Sequence, residues 1–466
     1  PSSQPSSQPT TQPSSGPTSQ PSAIPTCRPS SQPSGRPTRQ PSSQPSVRPT
    51  SQPTSTPSTQ PSAQPTMQPS GQPSRTPSRQ PTAQPSSVPS SQPSAQPSAQ
   101  PTVYIPKLVH ELVDLNPSYS QTSIYGKYLF GLSGSEFGSS VSSAGDFDGD
   151  GFDDVLVGAP KLTHLSNENA GAAFVMLSGK MTSNDVSTIS SNVGMLRIFG
   201  FQLNGYTGLA LCHAGDFNGD GKADILIGSH GLAVNSVYQA GRAYLIFGYA
   251  GPYQDLELSS FASGVKGIRI NGNAYEAYMG KSVSAGGDIN GDGMDDIIIG
   301  AYGDTFSGSR AHSGVTYIIF GFSSTPTQDI VPATTGSTYG FKIRGPFANG
   351  YSGSFVTGGG DFNDDGFDDI FVNVPQNSVD VGHVFLIPGG PSPFGDVDLS
   401  NYPGFYMIRR ALSNSFASKV SVAGDVNGDG IDDLIIGAPE STYLDRTKCG
   451  MAYIVFGKPW DRSGSL

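Results

Sequence analysis

From residue 125 onward the apolar positions fall in short runs of four to six, divided by stretches rich in glycine, aspartate and serine, with no helical spacing. The runs recur in one order. An aromatic or β-branched stretch comes first: Tyr128-Leu129-Phe130-Gly131, Arg197-Ile198-Phe199-Gly200, Ile268-Arg269-Ile270-Asn271, Phe341-Lys342-Ile343-Arg344 and Tyr406-Met407-Ile408-Arg409. A run of small residues follows, as in Phe137-Gly138-Ser139-Ser140-Val141 and Met279-Gly280-Lys281-Ser282-Val283. After an acidic loop comes a wholly apolar run, such as Val155-Leu156-Val157-Gly158 or Ile297-Ile298-Ile299-Gly300. Each unit closes on a run such as Gly241-Arg242-Ala243-Tyr244-Leu245-Ile246-Phe247 or Gly314-Val315-Thr316-Tyr317-Ile318-Ile319-Phe320. Four short strands in a repeat longer than 40 residues predict an all-β fold, a β-propeller of four-stranded blades. The small-residue strand suits the crowded innermost position, and the apolar strand suits a place covered on both faces.

The acidic loops set the period. Asp146-Phe147-Asp148-Gly149-Asp150-Gly151-Phe152-Asp153-Asp154 returns at 216–224, 288–296, 361–369 and 425–433, so that loop starts are 70, 72, 73 and 64 residues apart. All five copies read D-x-[DN]-x-D-G-x-x-D. Oxygen side chains at positions 1, 3, 5 and 9, with a backbone carbonyl at 7, suit a hard cation that takes six or more oxygens. The expected ligands are Asp146, Asp148, Asp150, Phe152 and Asp154 in the first loop and Asp216, Asn218, Asp220, Lys222 and Asp224 in the second. In the third they are Asp288, Asn290, Asp292, Met294 and Asp296; in the fourth, Asp361, Asn363, Asp365, Phe367 and Asp369; in the fifth, Asp425, Asn427, Asp429, Ile431 and Asp433. Phe152, Lys222, Met294, Phe367 and Ile431 serve through the main chain. About five Ca2+ ions are expected. An EF-hand needs a glutamate at position 12 and flanking helices; here position 12 is Val157, Ile227, Ile299, Val372 or Ile436, inside a strand-like run. Plain turns between strands are the simpler alternative, and five copies in one ligand register argue against it. Of the paired carboxylates, the second members are read as ligands; the first, such as Asp153 and Asp295, as electrostatic support or solvent-facing.

The first 102 residues are different in kind. A proline recurs at every fourth position from Pro1 to Pro101 in units such as Pro-Ser-Ser-Gln, without the apolar residues a core would need. The expectation is a disordered, extended stalk of Pro, Ser, Thr and Gln, a composition also found in O-glycosylated stalks. Residues 103–124 form a linker, and the propeller covers 125–466. The last repeat ends at Phe456-Gly457 without a fourth strand, while a fourth-type strand stands unattached at Tyr125–Gly131. The two ends are complementary, which suggests closure by a strand from the N-terminal side.

Charge follows the same division. The stalk has six arginines and no acid against a net −11 for the whole chain, leaving the remainder at −17, and 21 of its acids lie in the five loops. Acidity is therefore mostly ligand supply, which argues against a nucleic-acid partner. Cys27, Cys212 and Cys449 imply no disulfide framework, the six scattered histidines form no zinc motif, and there is no nucleophile elbow or phosphate loop. Cys212 and His213 are read as strand residues. No apolar run is long enough to span a membrane. No catalytic residue and no enzymatic activity are assigned.

Phe137-Gly138 before the first loop and Gly158-Ala159-Pro160 after it, with Gly437-Ala438-Pro439 in the fifth repeat, resemble the FG-GAP repeat. Residues 125–466 look like the β-propeller head of integrin α subunits. The resemblance implies seven blades, calcium in hairpin loops on one face, an extracellular or cell-surface location, and adhesion or binding of a protein or glycan ligand. The chain departs from it in showing five repeats, in Gly228-Ser229-His230 and Asn373-Val374-Pro375 where Gly-Ala-Pro is expected, and in its N-terminal stalk. Heterodimerisation as in integrins stays open. Two other readings stand beside adhesion: a lectin-like propeller using Tyr206, Tyr275, Tyr278 and Tyr351 on the face away from calcium, and an accessory propeller of a larger secreted enzyme such as a phospholipase that cleaves glycosylphosphatidylinositol. For those tyrosines, packing between blades is the simpler role.

Overall fold

The computed structural model describes residues 129–459 apart from 181–184, 188–193, 265, 306–309, 325, 333–338, 376–381, 392–393, 402–405, 410–415 and 445. The expected stalk, the linker and Tyr125–Tyr128 lie outside the described residues. Every ordered element of three or more residues is a β-strand, and the strands form five sheets. The first contains β1 (Ser140–Gly145), β2 (Asp154–Ala159), β3 (Ala172–Met176) and β4 (Met195–Phe199). The second is β5 (Leu211–Gly215), β6 (Asp224–Ser229), β7 (Arg242–Ile246) and β9 (Gly267–Asn271). The third is β10 (Ser282–Gly287), β11 (Asp296–Ala301), β12 (Val315–Ile319) and β13 (Gly340–Arg344), and the fourth β14 (Val356–Gly358), β15 (Ile370–Val374), β16 (His383–Ile387) and β18 (Tyr406–Arg409). The fifth has three strands, β19 (Lys419–Gly424), β20 (Asp433–Ala438) and β21 (Met451–Val455).

Within each sheet the strands run antiparallel in chain order, the meander that short connections favour. Small residues in β1, β5 and β10 let consecutive inner strands lie side by side. The apolar middle strands are covered on both faces. In β11, Ile297 and Ile299 join a core shared with the second sheet, while Ile298 joins a core shared with the fourth. Equivalent cores link the first sheet to the second and the fourth to the fifth.

A two-residue edge strand that carried no sequence signal adds to this plan. β8 (Leu256–Glu257), from the connection within the second sheet, pairs parallel with β4 of the first. β17 (Val397–Asp398) does the same for β13, and Ile330 bridges Ile270 in the corresponding place. β4, β9 and β13 are thus each clasped by the next sheet's connection. Arginine-to-aspartate pairs reinforce the clasp: Arg197 with Asp255 at 2.7 Å and Arg269 with Asp329 at 2.8 Å. Phe130 makes the same parallel bridge to Asp185, and Val186 donates its N–H to the Phe130 carbonyl at 3.1 Å. Leu129–Phe130 therefore holds the place of a fourth strand. Among the described residues it has no inner three, and β19–β21 have no fourth.

Candidate metal centres

Each acidic loop is the hairpin between an inner and a middle strand. A one-residue register shift precedes the first, second, third and fifth loops, at Ser143/Gly145, His213/Gly215, Ala285/Gly287 and Val422/Gly424. This bulge swings the chain off the ladder and presents the loop's side chains inward. One hydrogen-bond network then recurs in all five copies. The position-1 aspartate accepts the N–H of position 6: Asp146 from Gly151, Asp216 from Gly221, Asp288 from Gly293, Asp361 from Gly366 and Asp425 from Gly430, at 2.8–2.9 Å. The side-chain oxygen of position 3, on Asp148, Asn218, Asn290, Asn363 or Asn427, accepts the N–H of position 5. Position 5 in turn accepts the main-chain N–H of position 7, from Phe152, Lys222, Met294, Phe367 and Ile431. The position-6 glycine has φ between +85° and +91°, a conformation in which a side chain would be strained. In the first loop one carboxylate oxygen from each of Asp146, Asp148 and Asp150 lies within 4.8 Å of the other two.

Position 9 is the buried member. Asp154, Asp224, Asp296, Asp369 and Asp433 are at most 1 % exposed. One oxygen of each accepts an N–H from the residue just past the third strand: Ser178, Gly248, Gly321, Gly389 and Gly457, at 2.8–2.9 Å. In the last four loops the other oxygen accepts the N–H of position 2. In the first, Asp154 Oδ2 is buried without a hydrogen-bond partner. Burial, together with the charges at positions 5 and 1, pushes the Asp224 carboxyl up to about 7 and those of Asp296 and Asp369 to about 8. Burial likewise raises Asp154 to about 6, with Asp148 and Asp150 adding to it. Carboxylates crowded this closely around a buried one favour a cation among them. The donor set, hard oxygens in a compact hairpin, fits Ca2+.

Two neighbours of these loops escaped sequence reasoning. Lys180, some thirty residues on, reaches into the first loop, where its ammonium contacts Asp148 and lies 2.9 Å from Asp150. Only this loop has aspartate rather than asparagine at position 3. Position 8 also acquires a role that was not foreseen. Asp295, Asp368 and Asp432 each accept the position-1 N–H of the preceding loop, from Asp216, Asp288 and Asp361 at 2.7, 2.8 and 3.1 Å. These aspartates fasten one blade to the next, which corrects the expectation that they only support the site electrostatically or face solvent. The second loop has Ala223 at this position, and Asp153, in the first loop, is exposed.

The strand directions put the connections from second to third strand, and from one sheet to the next, at the end away from the acidic loops. There Tyr206, His230, Tyr278, Tyr302 and Tyr351 form a continuous run across three blades, with neighbouring ring centroids 5.1 to 6.3 Å apart. Tyr206, Tyr278 and Tyr351 occupy equivalent positions with φ of 51–54°. This is packing between blades. Tyr275 is different: it is 66 % exposed and lies 5.7 Å from exposed Tyr238. Cys212 and His213 lie in β5, as strand residues.

The FG-GAP repeat model matches residues 137–176, 207–246, 279–319 and 416–455. The fourth blade falls outside these matches although its loop carries the same network. Integrin alpha-PS2 of Drosophila melanogaster is 31% identical over 175 residues, 36% of this chain and 12% of that protein. Integrin alpha pat-2 of Caenorhabditis elegans is 29% identical over 220 residues, 44% of this chain and 16% of its own length. Integrin alpha-PS5 of Drosophila melanogaster is 28% identical over 255 residues, 52% of this chain and 22% of its own length. The chain carries FG-GAP repeats and has distant, partial similarity to integrin alpha subunits, of which it spans less than a quarter of the length in each of these three matches.

Proposed function

We propose that residues 125–466 are a calcium-stabilised β-propeller that serves extracellular adhesion or ligand recognition, held out on the proline-rich stalk of residues 1–102. The observation that carries this reading is the hydrogen-bond network of positions 1, 3 and 5 that five loops share beside a buried position-9 carboxylate. Each ion would neutralise carboxylates that otherwise repel one another, fixing a hairpin and the blade behind it. Asp153 in the first loop and the position-8 aspartates of later loops stay outside the ligand set. Similarity to integrin alpha subunits supports a surface location and protein or glycan ligands. Among the described residues no helix is long and apolar enough to cross a membrane.

Ring closure belongs to the same proposal. Among the described residues Leu129–Phe130 holds a fourth strand's place without an inner three, and β19–β21 are an inner three without a fourth. Joining them would remove two open sheet edges at once. A lectin-like role is the second reading, favoured by exposed Tyr275 and Tyr238 on the face away from the acidic loops.

Calcium stoichiometry and melting temperature, measured together on the full chain with calcium and with chelator, test the proposal. About five ions should bind, and each site held at a hundred times its Kd adds about 2.7 kcal/mol to the folded state. One ion or none, with a melting temperature indifferent to chelator, would leave the loops as ordinary turns.

A further inference from the structure

A cavity of about 320 Å3 opens among the connections of the first, second and third sheets, away from the acidic loops, lined by Glu136, Lys161, Tyr206, Leu209, His230 and Lys281. Its charges do not cancel. Lys161 pairs with Glu136 at 2.7 Å, both about half exposed. Lys281 is only partly exposed, and no carboxylate lies within ion-pair distance of it among the described residues. Burial alone has pulled its ammonium below the usual lysine range. His230 adds no charge, since burial first, and Lys281 second, bring it down to about 3. Its ring is 9 % exposed, stacks on Tyr206 at 5.3 Å, and leaves Nδ1 without a hydrogen bond. The site therefore carries a net charge of about +1 on a half-sheltered cation, beside an aromatic wall.

We propose that this cavity binds an acidic sugar, a uronic acid within a glycan, with its carboxylate on Lys281 and its ring against Tyr206 and Leu209. The inference deepens the recognition function proposed above and rests on it. One uncompensated positive charge matches a monoanion; a phosphate dianion would need a second. A carboxylate supplies the charge-assisted hydrogen bond that the sheltered ammonium lacks. The volume lies at the small end of ligand sites, enough for one or two sugar rings. Tyrosine offers an apolar face and a hydroxyl side by side, which suits a sugar's CH and OH groups. An extended acidic peptide fits less well, because it binds by adding main-chain hydrogen bonds. Four of the lining residues have already committed their main-chain N–H groups: Lys161 to Ser135, Tyr206 to Asn169, Leu209 to Tyr206 and Lys281 to Tyr278, at 2.9 to 3.1 Å.

The test is a calorimetric titration of the full chain, in calcium, with tetragalacturonate, tetraglucuronate, the carboxyl-reduced counterpart of each, and hexaglutamate. At least one acid tetrasaccharide should bind at least tenfold tighter than its reduced counterpart. Lys281→Gln should weaken that binding at least tenfold with no change in melting temperature, and Lys281→Arg should restore it. Because uronates also bind calcium, the Lys281 variants separate the cavity from the acidic loops. The proposal is overturned if both reduced sugars bind as well as the acids, if Lys281→Gln binds unchanged, if neither acid binds, or if hexaglutamate binds in their place. A chelator-sensitive melt with no sugar binding would overturn this assignment alone and leave the calcium-stabilised propeller standing.

Discussion

The third sheet and the fifth are written in nearly the same residues and end up in different surroundings. The middle strand of the third reads Asp296-Ile297-Ile298-Ile299-Gly300-Ala301 and is buried throughout. That of the fifth reads Asp433-Leu434-Ile435-Ile436-Gly437-Ala438, and its Leu434 and Ile436 are fully buried while Ile435 is 38 % exposed. Ile298 and Ile435 are the same position. Ile298 faces the following blade, and Ile435 faces the place where a following blade would be. Ile454 and Phe456 stand exposed on that same side, and at the opposite end of the array Val141 and Val155 are exposed on the first sheet. The lesson is that a strand apolar on both faces encodes a demand for two neighbours, and an end blade meets half of it.

The largest predicted effect probes that difference directly. Ile298→Ala should cost about 2–5 kcal/mol, the usual range for a large core residue cut to alanine. If the ends of the array meet, Ile435→Ala should lose at least half as much as Ile298→Ala in urea unfolding of the full chain. A loss at Ile435 below about 0.5 kcal/mol, the level of an ordinary surface change, would rule out ring closure.

Much of the interior was legible because its signals are local. A turn glycine, three oxygens at alternate positions and an apolar run behind them lie within a dozen residues, so the loops and middle strands could be placed from 146–157 or 288–299 alone. Leu129–Phe130 was recognisable as a fourth-type strand because it repeats the pattern of Ile198-Phe199. What stayed hidden depends on a partner far along the chain. Lys180 gives no sign in the sequence that it will reach Asp148. The sequence pattern separates Asp296, in the ligand register, from Asp295, but it gives no sign that Asp295 serves the preceding blade while Asp296 serves its own hairpin. Only the stacking of one blade on the next assigns that role to Asp295. The left-handed backbone at Tyr206, Tyr278 and Tyr351 is equally silent, since tyrosine does not advertise positive φ as glycine does.

The blade-to-blade clamp gives the second prediction, again as an interior and end pair. Asp295→Ala strips the acceptor from the part-buried Asp216 N–H and should cost about 1–2 kcal/mol, the lower part of the range for a buried donor left unsatisfied. Amide exchange at Asp216 should quicken while exchange in the strands of the fourth blade stays the same. Asp153 is the end counterpart. In a closed ring its carboxylate would face the N–H of Asp425, so Asp153→Ala should then destabilise by a similar amount and quicken exchange at Asp425. An open array predicts no change from that substitution.

The smallest effect belongs to His230, whose blade has covered faces on both sides. The native imidazole resists protonation down to about 3, against 6.5 for a free side chain, because the ring is buried and Lys281 is near. Below 6.5 the unfolded chain takes up a proton that the native ring refuses, so this histidine's contribution is intact above 6.5 and shrinks as pH falls toward 3. Each pH unit in that window removes at most about 1.4 kcal/mol. Between pH 6.5 and 5.5 the wild-type chain should therefore lose about 1 kcal/mol more stability than His230→Gln, measured in calcium by urea unfolding at both pH values. Substitution removes the titrating group whatever it does to packing, so the quantity to compare is the slope with pH. Parallel slopes would mean that the ring is protonated in the native state, and that the aromatic run from Tyr206 to Tyr278 is open to water at its centre.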